Sequence, residues 1–294
     1  MFSEQEVLIY PSTVTHTPAD IEGNVNVYFQ IGNFGTPTSG LLYDYSGAAA
    51  AYSVRQLANT AALAMRIRED GTDTETDIGF DANGDLDTAA IASHCGSNNG
   101  YVSKWYDQSG EQNDAIQGTF GSQPQIYNGT AVITENGKPA IDFLSTITYL
   151  RNTSISMTQP FSGFVAVSGL NTSTGYVHGG TNSGNRIICS TVIPGDYINI
   201  NAGTALGSTT LGDSGVQLLS TLYNSTSSEI WKNGSSIASG NAGTRNCSGF
   251  TIGTRYSAIS YQLEGKMQEF IYYDSDQDSA GNRSGIETNI NLGS

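Results

Sequence analysis

Short runs of β-branched and aromatic residues alternate with turn-forming residues along most of this chain, and this pattern predicts many short strands. The predicted strands of the second half are Gln125–Tyr127, Ala131–Thr134, Ala140–Leu144, Ser162–Leu170, Arg186–Val192, Asp196–Asn201, Val216–Asn224, Ser228–Trp231, Ser235–Ala238, Phe250–Ile252 and Lys266–Tyr273. Asn136-Gly137 and Asn233-Gly234 lie between such runs and suit the tight turns of hairpins. Many closely spaced strands with little helix indicate an all-β fold, and a β-sandwich in particular.

Four further segments give the first half and the end of the chain a mixed character. Ala64–Arg68 alternates apolar and basic residues, which predicts a half-buried strand. The alanine-rich run predicts a helix from about Gly47 to Asn59, because alanine has the highest helix propensity. A second short helix is predicted at Asp87–His94, and a closing helix with one apolar face at Ser279–Asn291.

The stretch Tyr101–Gln117, YVSKWYDQSGEQNDAIQ, predicts a strand that ends in a tight polar corner. A corner with an aromatic pair at its edge can cradle a ligand. The favoured interpretation is structural: Trp105 and Tyr106 belong to the core and Asp107 caps the turn, because large aromatic side chains contribute the most burial energy.

A second loop carries oxygen-bearing side chains at alternate positions, namely Asp81, Asn83, Asp85 and Asp87. Calcium prefers several oxygen ligands that a sharp turn brings together, so this loop is a candidate calcium site. Gly84 is not where an EF-hand loop has its glycine, and no bidentate glutamate follows at the required distance. An aspartate-rich turn is the favoured interpretation, and calcium is the one cofactor that the sequence suggests.

The charge balance bears on the possible partners. The 294 residues include 27 acidic and 12 basic side chains, which gives a formal charge of −15. Such a chain repels nucleic-acid phosphates and anionic lipids, so we expect neither nucleic acid nor membrane as a partner. The start, MFSEQEVLIYPS, lacks the basic region of a secretory signal, which predicts that the chain is made and stays in the cytoplasm or leaves by lysis.

Cysteine usage argues against a stapled or zinc-bound fold. Cys95, Cys189 and Cys247 are odd in number and far apart in sequence, which fits neither a disulfide framework nor a zinc knuckle. We expect them to be buried as small hydrophobic residues, and a Cys189–Cys247 bridge stays open as an alternative.

Residues 1–40 differ from the rest, because two strand-like runs there are interrupted by several prolines and glycines. Two short strands cannot bury enough surface on their own. We expect an N-terminal docking arm over residues 1–40 and one β-sandwich domain over residues 41–294, with a plain extra hairpin as the alternative for the first segment.

Several blocks of the chain resemble a known family. LLYDYSGAAAAYSVRQL, IREDGTDTETDIGF, GDLDTAAI, GYVSKWYDQSGEQNDAIQ, QPQIYNG and ENGKPAIDF together resemble the first half of a module of marine bacteriophage structural proteins, which is related to the catalytic domain of fungal α-L-arabinofuranosidase B. FTIGTRYS and YQLEGKMQEFIYYDSDQDSAGNRSGIETNIN resemble the last strands and helix of a concanavalin A-like (laminin-G-like) jelly-roll. The resemblance covers residues 41–294 and implies a concanavalin A-like β-sandwich with a few short helices.

The resemblance implies a virion protein: a tail-fibre, knob or capsid-decoration subunit, made in the bacterial cytoplasm and assembled into a phage. We then expect residues 1–40 to contact other virion proteins, a homotrimer as the oligomer, and a host-surface glycan as ligand. Sugars are held by aromatic faces and polar side chains. The candidate carbohydrate-binding residues are Trp105, Tyr106, Asp107, Gln108, Tyr176, His178, Arg186 and Trp231.

Two alternatives remain beside this non-enzymatic interpretation. One is a glycoside hydrolase of the arabinofuranosidase type, for which two carboxyl groups are needed and Glu264 and Glu269 are candidates. Against it, the adjacent cysteine pair of that family is absent and the blocks with its catalytic carboxylates do not align with this chain. The other alternative is a purely structural spacer or capsid-stabilising protein that binds no glycan.

Overall fold

The computed structural model describes residues 40–143, 147–170, 175–181, 188–192, 197–208, 214–255 and 261–293. Its helices are α1 (Leu41–Asp44), α2 (Thr88–Cys95) and α3 (Arg283–Gly293), with 3₁₀ turns at Phe120–Ser122 and Ser225–Ser227. Its strands are β1 (Ala48–Ser53), β2 (Leu63–Glu69), β3 (Glu75–Gly79), β4 (Asn99–Trp105), β5 (Ala115–Ile116), β6 (Gln125–Asn128), β7 (Thr134–Glu135), β8 (Lys138–Pro139), β9 (Ile141–Phe143), β10 (Leu150–Asn152), β11 (Phe161–Val167), β12 (Tyr176–Gly179), β13 (Ile188–Val192), β14 (Tyr197–Asn201), β15 (Ala205–Gly207), β16 (Gln217–Tyr223), β17 (Ser228–Lys232), β18 (Ser235–Gly240), β19 (Phe250–Ile252) and β20 (Gly265–Tyr273).

All strand pairs of the large sheet are antiparallel, and β20 lies at its centre. Along one edge β20 pairs with β11, and along the other it pairs first with β9 and then with β1. From β11 the sheet continues through β16 and β17 to β18. From β9 it continues through β6 to β4, which also pairs with β2 and β5. From β5 it runs through β10 and β19 to the strands β12 to β15. The prediction of a mostly antiparallel β fold with few short helices is confirmed.

Two hydrophobic clusters hold this sheet together. The main cluster contains side chains from strands on both sides of β20, including Tyr52 of β1, Trp105 of β4 and Phe270 of β20 itself. The sheet therefore folds round one shared core. The second cluster lies on the other face of β20, where Ile271 and Tyr273 contact residues of the closing helix α3. Strand β20 is therefore buried on both faces, as expected of a central strand.

The alanine-rich segment is a strand, so the prediction of a helix over Gly47–Asn59 is wrong. Ala50 and Tyr52 face the main core while Ala48 and Ala51 face the second cluster. Burial on both faces and pairing with β20 override the helix propensity of alanine, which is a weak preference on its own.

Other local predictions are confirmed. The Asp87 carboxylate accepts a hydrogen bond from the Ala90 amide at 2.9 Å and so caps α2. Both hairpin dipeptides have positive φ at each residue, 50° and 76° in the first and 49° and 80° in the second, as type I′ turns require. The closing helix buries Ile286 and Ile290 completely.

Some predictions lie outside what the structure describes or remain open. Residues 1–39, which contain nearly all of the predicted docking arm, are outside the described residues. No helix of the described segments is both long enough and apolar enough to cross a bilayer.

The three cysteines are free thiols buried in the protein, as expected, and no Cys189–Cys247 bridge is formed. Burial raises the pKa of Cys95 to about 11 and those of Cys189 and Cys247 to about 12. These thiols therefore remain protonated at neutral pH.

His178 lies in the main core, completely excluded from solvent. Its ring contacts Phe250, Phe270 and Tyr272 edge to face, and its Nε2 is 2.6 Å from the Tyr272 hydroxyl. Burial lowers the pKa of His178 to about 3, because a charged ring cannot be hydrated there.

This burial predicts how stability depends on pH. Between the ordinary pKa of 6.5 and about 3, the unfolded chain binds a proton at His178 that the folded chain does not. The free energy of unfolding must then fall by about 1.4 kcal/mol per pH unit as the solution is acidified. We expect His178→Phe to remove this contribution to the slope in urea denaturation series at several pH values. Phe250→Leu, the matched control, should lower stability equally at every pH; an unchanged slope in His178→Phe would contradict the assignment.

Candidate active site

A polar cleft of about 360 Å³ opens where β20 begins. Three carboxylates and one ammonium group line it, together with backbone and small side chains. The lining residues are Glu135, Asp142, Phe143, Ser168, Gly169, Ser214, Glu264, Gly265 and Lys266.

Strand register places Asp142 and Lys266 side by side. Side chains alternate between the two faces of a strand, so Asp142 points outwards between the fully buried Ile141 and Phe143. Lys266 is directly opposite Asp142 in the antiparallel pair of β9 and β20. Residues that oppose each other in this way share one face of the sheet, which brings the two charges together.

A hairpin supplies the second carboxylate. β7 and β8 are joined by the Asn136-Gly137 turn and place Glu135 above β20. The Lys266 Nζ donates to Glu135 Oε2 at 2.7 Å, and the Gln268 side-chain amide donates to the Glu135 carbonyl oxygen at 3.1 Å. The hairpin is therefore tied to the central strand at two points.

The base of the cleft requires glycine. A Cβ atom on Gly265 would lie 2.0 Å from the Ser168 carbonyl oxygen, and one on Gly169 would lie 2.3 Å from that of Glu264. Gly169 also has a φ of +78°, which disfavours any residue with a side chain. The two backbone segments that form this part of the cleft can approach only because neither residue carries a side chain.

The electrostatics of the cleft favour the protonated form of Asp142. Burial raises the pKa of Asp142, and the negative charge of Glu135 raises it further, while Lys266 acts in the opposite direction. Glu264 is exposed at the rim. The cleft thus places a carboxyl group with a raised pKa beside neighbouring carboxylates, which is the pairing that acid–base chemistry uses.

Of the two glutamates named from the sequence, only Glu264 lies in this cleft. Glu269 is 1% exposed and forms an ion pair with Arg55. Burial raises the pKa of Glu269, against the effect of Arg55. A side chain enclosed in this way reaches no substrate, so Glu269 is a structural residue.

The sequence did not single out Glu135, Asp142 or Lys266. The first two lie in the block ENGKPAIDF, which carries part of the family resemblance, and this is the one signal that pointed to them. Lys266 belongs to the last strand, and only strand pairing joins it to the others.

The aromatic corner is structural at its centre. Trp105 is completely buried and donates its indole N–H to the Ser53 carbonyl oxygen at 3.2 Å. Gln108, 5% exposed, accepts from the Leu57 amide at 2.8 Å and donates to the Arg55 carbonyl at 3.0 Å. Trp105 was a candidate sugar ligand, and its burial removes it from that role, whereas Gln108 lines a cleft together with Tyr106 and Asp107 and stays an untested candidate.

Asp107 holds the corner together. Its carboxylate accepts hydrogen bonds of 2.9 Å from the amides of Ala51, Ser109 and Asn113, and one of 2.7 Å from the Ser109 hydroxyl. Asp107 and the half-buried Tyr106 line a smaller cleft of about 260 Å³ and remain candidate ligand residues.

The other candidate sugar ligands are scattered. His178 is in the core, and Trp231 is 4% exposed with the Arg283 guanidinium 4.5 Å above its ring, so neither presents a face to a ligand. Tyr176 is half-buried against Tyr261 and remains a prediction. Arg186 lies outside the described residues.

The aspartate-rich loop is explained by its own backbone. Asp81 accepts from the amides of Asn83 at 2.8 Å and Asp85 at 3.0 Å, and Asp87 caps α2. Within the described segments no group of three His, Cys, Asp or Glu side chains is arranged to hold a metal ion. The calcium site at Asp81, Asn83, Asp85 and Asp87 stays an untested prediction.

Three solved structures with a similar fold are arabinofuranosidases. One is an arabinofuranosidase in complex with arabinofuranosyl-α-1,2-xylobiose, and two are GH54 α-L-arabinofuranosidases, with a cyclic sulfate inhibitor and with 4-nitrophenyl α-L-arabinofuranoside. Each has 16% identity and a TM-score of 0.64, over 85% of this chain and 64% of the other. The chain shares their fold. It spans less than two thirds of their length. No family model and no curated protein matches the sequence.

These matches overturn the virion interpretation. A phage fibre, knob or decoration subunit without enzymatic activity was the leading expectation, and the structures that share the fold are glycoside hydrolases instead. No comparison links the chain to a phage particle. The leading expectation is therefore wrong, and the hydrolase alternative replaces it as the hypothesis to be tested.

The charge arrangement in the cleft predicts opposite effects of two substitutions. Glu135→Gln removes the repulsion that raises the pKa of Asp142, so this pKa should fall. Lys266→Gln removes the opposing attraction, so it should rise. A carboxyl-detected NMR titration measures both, with Asp44→Asn on α1 as a control that leaves the pKa unchanged. Shifts of the same sign in both variants would contradict the arrangement.

The hydrogen bonds that Asp107 accepts predict a large loss of stability when this residue is replaced. Asp107→Ala leaves three backbone amides without an acceptor and should lower the free energy of unfolding by about 3 kcal/mol or more. Asp107→Asn keeps one carbonyl oxygen and should cost less. Urea denaturation measures both, with the exposed Asp44→Ala as the control; a loss in Asp107→Ala no larger than the control's would refute the role.

Proposed function

We propose that this protein is a glycoside hydrolase that removes α-L-arabinofuranosyl groups from a polysaccharide. The observation that carries the proposal is the cleft in which Asp142, with a raised pKa, adjoins the ion pair of Glu135 and Lys266. The arabinofuranosidase fold supports the choice of substrate. The proposal includes the concanavalin A-like assignment of the sheet, which the resemblance of the last strands suggests.

Asp142 is assigned as the general acid. A glycosidic bond breaks readily only if the departing oxygen receives a proton. A carboxyl group whose pKa is raised by burial and by a neighbouring negative charge, against the effect of Lys266, is suited to supply it. In the mechanism that we propose, Asp142 donates its proton to the leaving-group oxygen as the bond to the sugar carbon breaks.

Glu264 is assigned as the second carboxylate of the reaction. It lines the same cleft from the residue just before β20 and is exposed to water and substrate. It acts either as the nucleophile or as the base that activates water. The first role retains the configuration at the sugar carbon and the second inverts it. Glu135 is a positioning residue, because its charge acts on Asp142 while its carboxylate is held by Lys266.

The acid role predicts that the loss in an Asp142→Asn variant depends on the leaving group. On an arabinose-substituted oligosaccharide, whose leaving oxygen needs a proton, activity should fall by roughly 10²- to 10⁴-fold. On 4-nitrophenyl α-L-arabinofuranoside, whose leaving group needs none, the loss should be much smaller. Initial rates of sugar release on both substrates measure the difference.

The controls separate the roles. Asp44→Asn on α1 should retain wild-type rates, and Glu264→Gln should lose activity on both substrates alike because its role does not depend on the leaving group. The NMR spectrum of the first product formed by the wild type shows whether the configuration at the sugar carbon is retained or inverted. Retention assigns Glu264 as the nucleophile, and inversion assigns it as the base. Wild-type protein without turnover on either substrate would refute the proposed function.

A further inference from the structure

A row of directly opposed residues crosses five strands next to the cleft. Lys266 on β20 opposes Asp142 on β9, which opposes Gln125 on β6. Gln125 opposes Tyr101 on β4, and Tyr101 opposes Arg68 on β2. This set, from Lys266 to Arg68, is called the cross-strand row below.

The members of the cross-strand row share the outward face of the sheet. Their neighbours along each strand are completely buried in the main core, namely Met267, Ile141, Ile126, Val102 and Ile67. Side chains alternate between faces, so the row itself points the other way. Strands lie about 4.8 Å apart, which makes the row roughly 19 Å long from Lys266 to Arg68.

A second cleft, of about 290 Å³, lies at the far end of the row. There the Arg68 guanidinium lies 5.2 Å from the centre of the Tyr101 ring and 4.3 Å from that of Phe120. Hydrogen bonds to Gln123 at 2.8 Å and to Asp73 at 2.6 Å fix its orientation. The cleft therefore has a rigid aromatic and polar wall.

Two side chains of this second cleft indicate a ligand. Phe120 is 51% exposed at the edge of this cleft, so part of its ring is available for contact with a ligand. Thr148 also lines the cleft and is 1% exposed, yet its hydroxyl has no hydrogen-bond partner within the described protein. Buried hydroxyl groups normally have a partner, and a ligand hydroxyl would supply one.

We propose that the cross-strand row is the binding surface for a neutral polysaccharide chain, with the cleft of Arg68, Tyr101 and Phe120 as a distal subsite. Aromatic rings contact the apolar faces of sugars, while amide and hydroxyl groups bind their hydroxyls. A neutral chain fits better than an acidic one, because the formal charge of −15 repels polyanions and both Arg68 and Lys266 are already ion-paired. The proposal rests on the proposed function, since the near end of the row is the catalytic cleft.

Affinity gel electrophoresis with soluble arabinoxylan in the gel tests the distal subsite. Two single substitutions of exposed aromatic residues are compared, Phe120→Ala in the subsite and Tyr43→Ala on α1, which are 51% and 59% exposed in the native chain. Both are made in the Asp142→Asn background so that the polymer is not degraded. We expect Phe120→Ala to bind about tenfold more weakly, as loss of one aromatic contact implies, and Tyr43→Ala to bind like its parent.

The outcomes distinguish this inference from the proposed function. If Phe120→Ala and Tyr43→Ala are retarded equally while the wild type hydrolyses the arabinofuranoside, the subsite is refuted and the function stands. If Phe120→Ala loses retardation but the wild type shows no turnover, the function is refuted and the binding row stands. If the parent protein is not retarded by arabinoxylan at all, the row is refuted.

Discussion

The fold depends on the hydrogen bonds that the backbone of β1 makes on the side away from β20. Strand β1 is buried on both faces, so each of its backbone N–H and C=O groups needs a hydrogen-bond partner inside the protein. The corner after β4 provides them: the amide of Ala51 donates to Asp107 and its carbonyl accepts from the Gln108 amide at 2.8 Å. The Asn113 side-chain amide donates to the Ala49 carbonyl at 2.9 Å. A loop thus replaces a neighbouring strand, and the β1 segment can remain in the centre of the molecule.

This arrangement also connects the core to the cleft. β20 uses its second half to pair with β1 and its first residues to pair with β9, which carries Asp142. The same strand is packed between two hydrophobic clusters, and it begins immediately after Glu264. Asp142 and Lys266 are therefore held by the paired backbones of β9 and β20, and the hairpin of β7 and β8 holds Glu135 beside them. Rigid attachment of this kind is what acid–base chemistry requires.

Local chemistry made some elements predictable and others not. Strand β2 has its predicted position, although the burial of Arg68 breaks its predicted alternation. Turn glycines and the cap of α2 are determined by neighbouring residues, and they appear where the sequence predicts them. The segment around Ala50 does not, because its strand state depends on β20, which follows more than two hundred residues later. The same holds for the cleft: Glu135, Asp142 and Lys266 become neighbours only through sheet register. Trp105 was correctly assigned to the core because a large aromatic residue is stabilised most by burial.

The three buried thiols have a practical consequence. Thiolate is the reactive form of cysteine, and the raised pKa values of Cys95, Cys189 and Cys247 together with their enclosure make the folded chain inert to thiol reagents. All three lie in the main core, Cys95 at the end of α2, Cys189 opposite His178 and Cys247 opposite Met157. The rate at which each sulfur is alkylated under native conditions would then report how often its own part of the sheet opens. The molecule carries built-in reporters of local and global unfolding, without any introduced label.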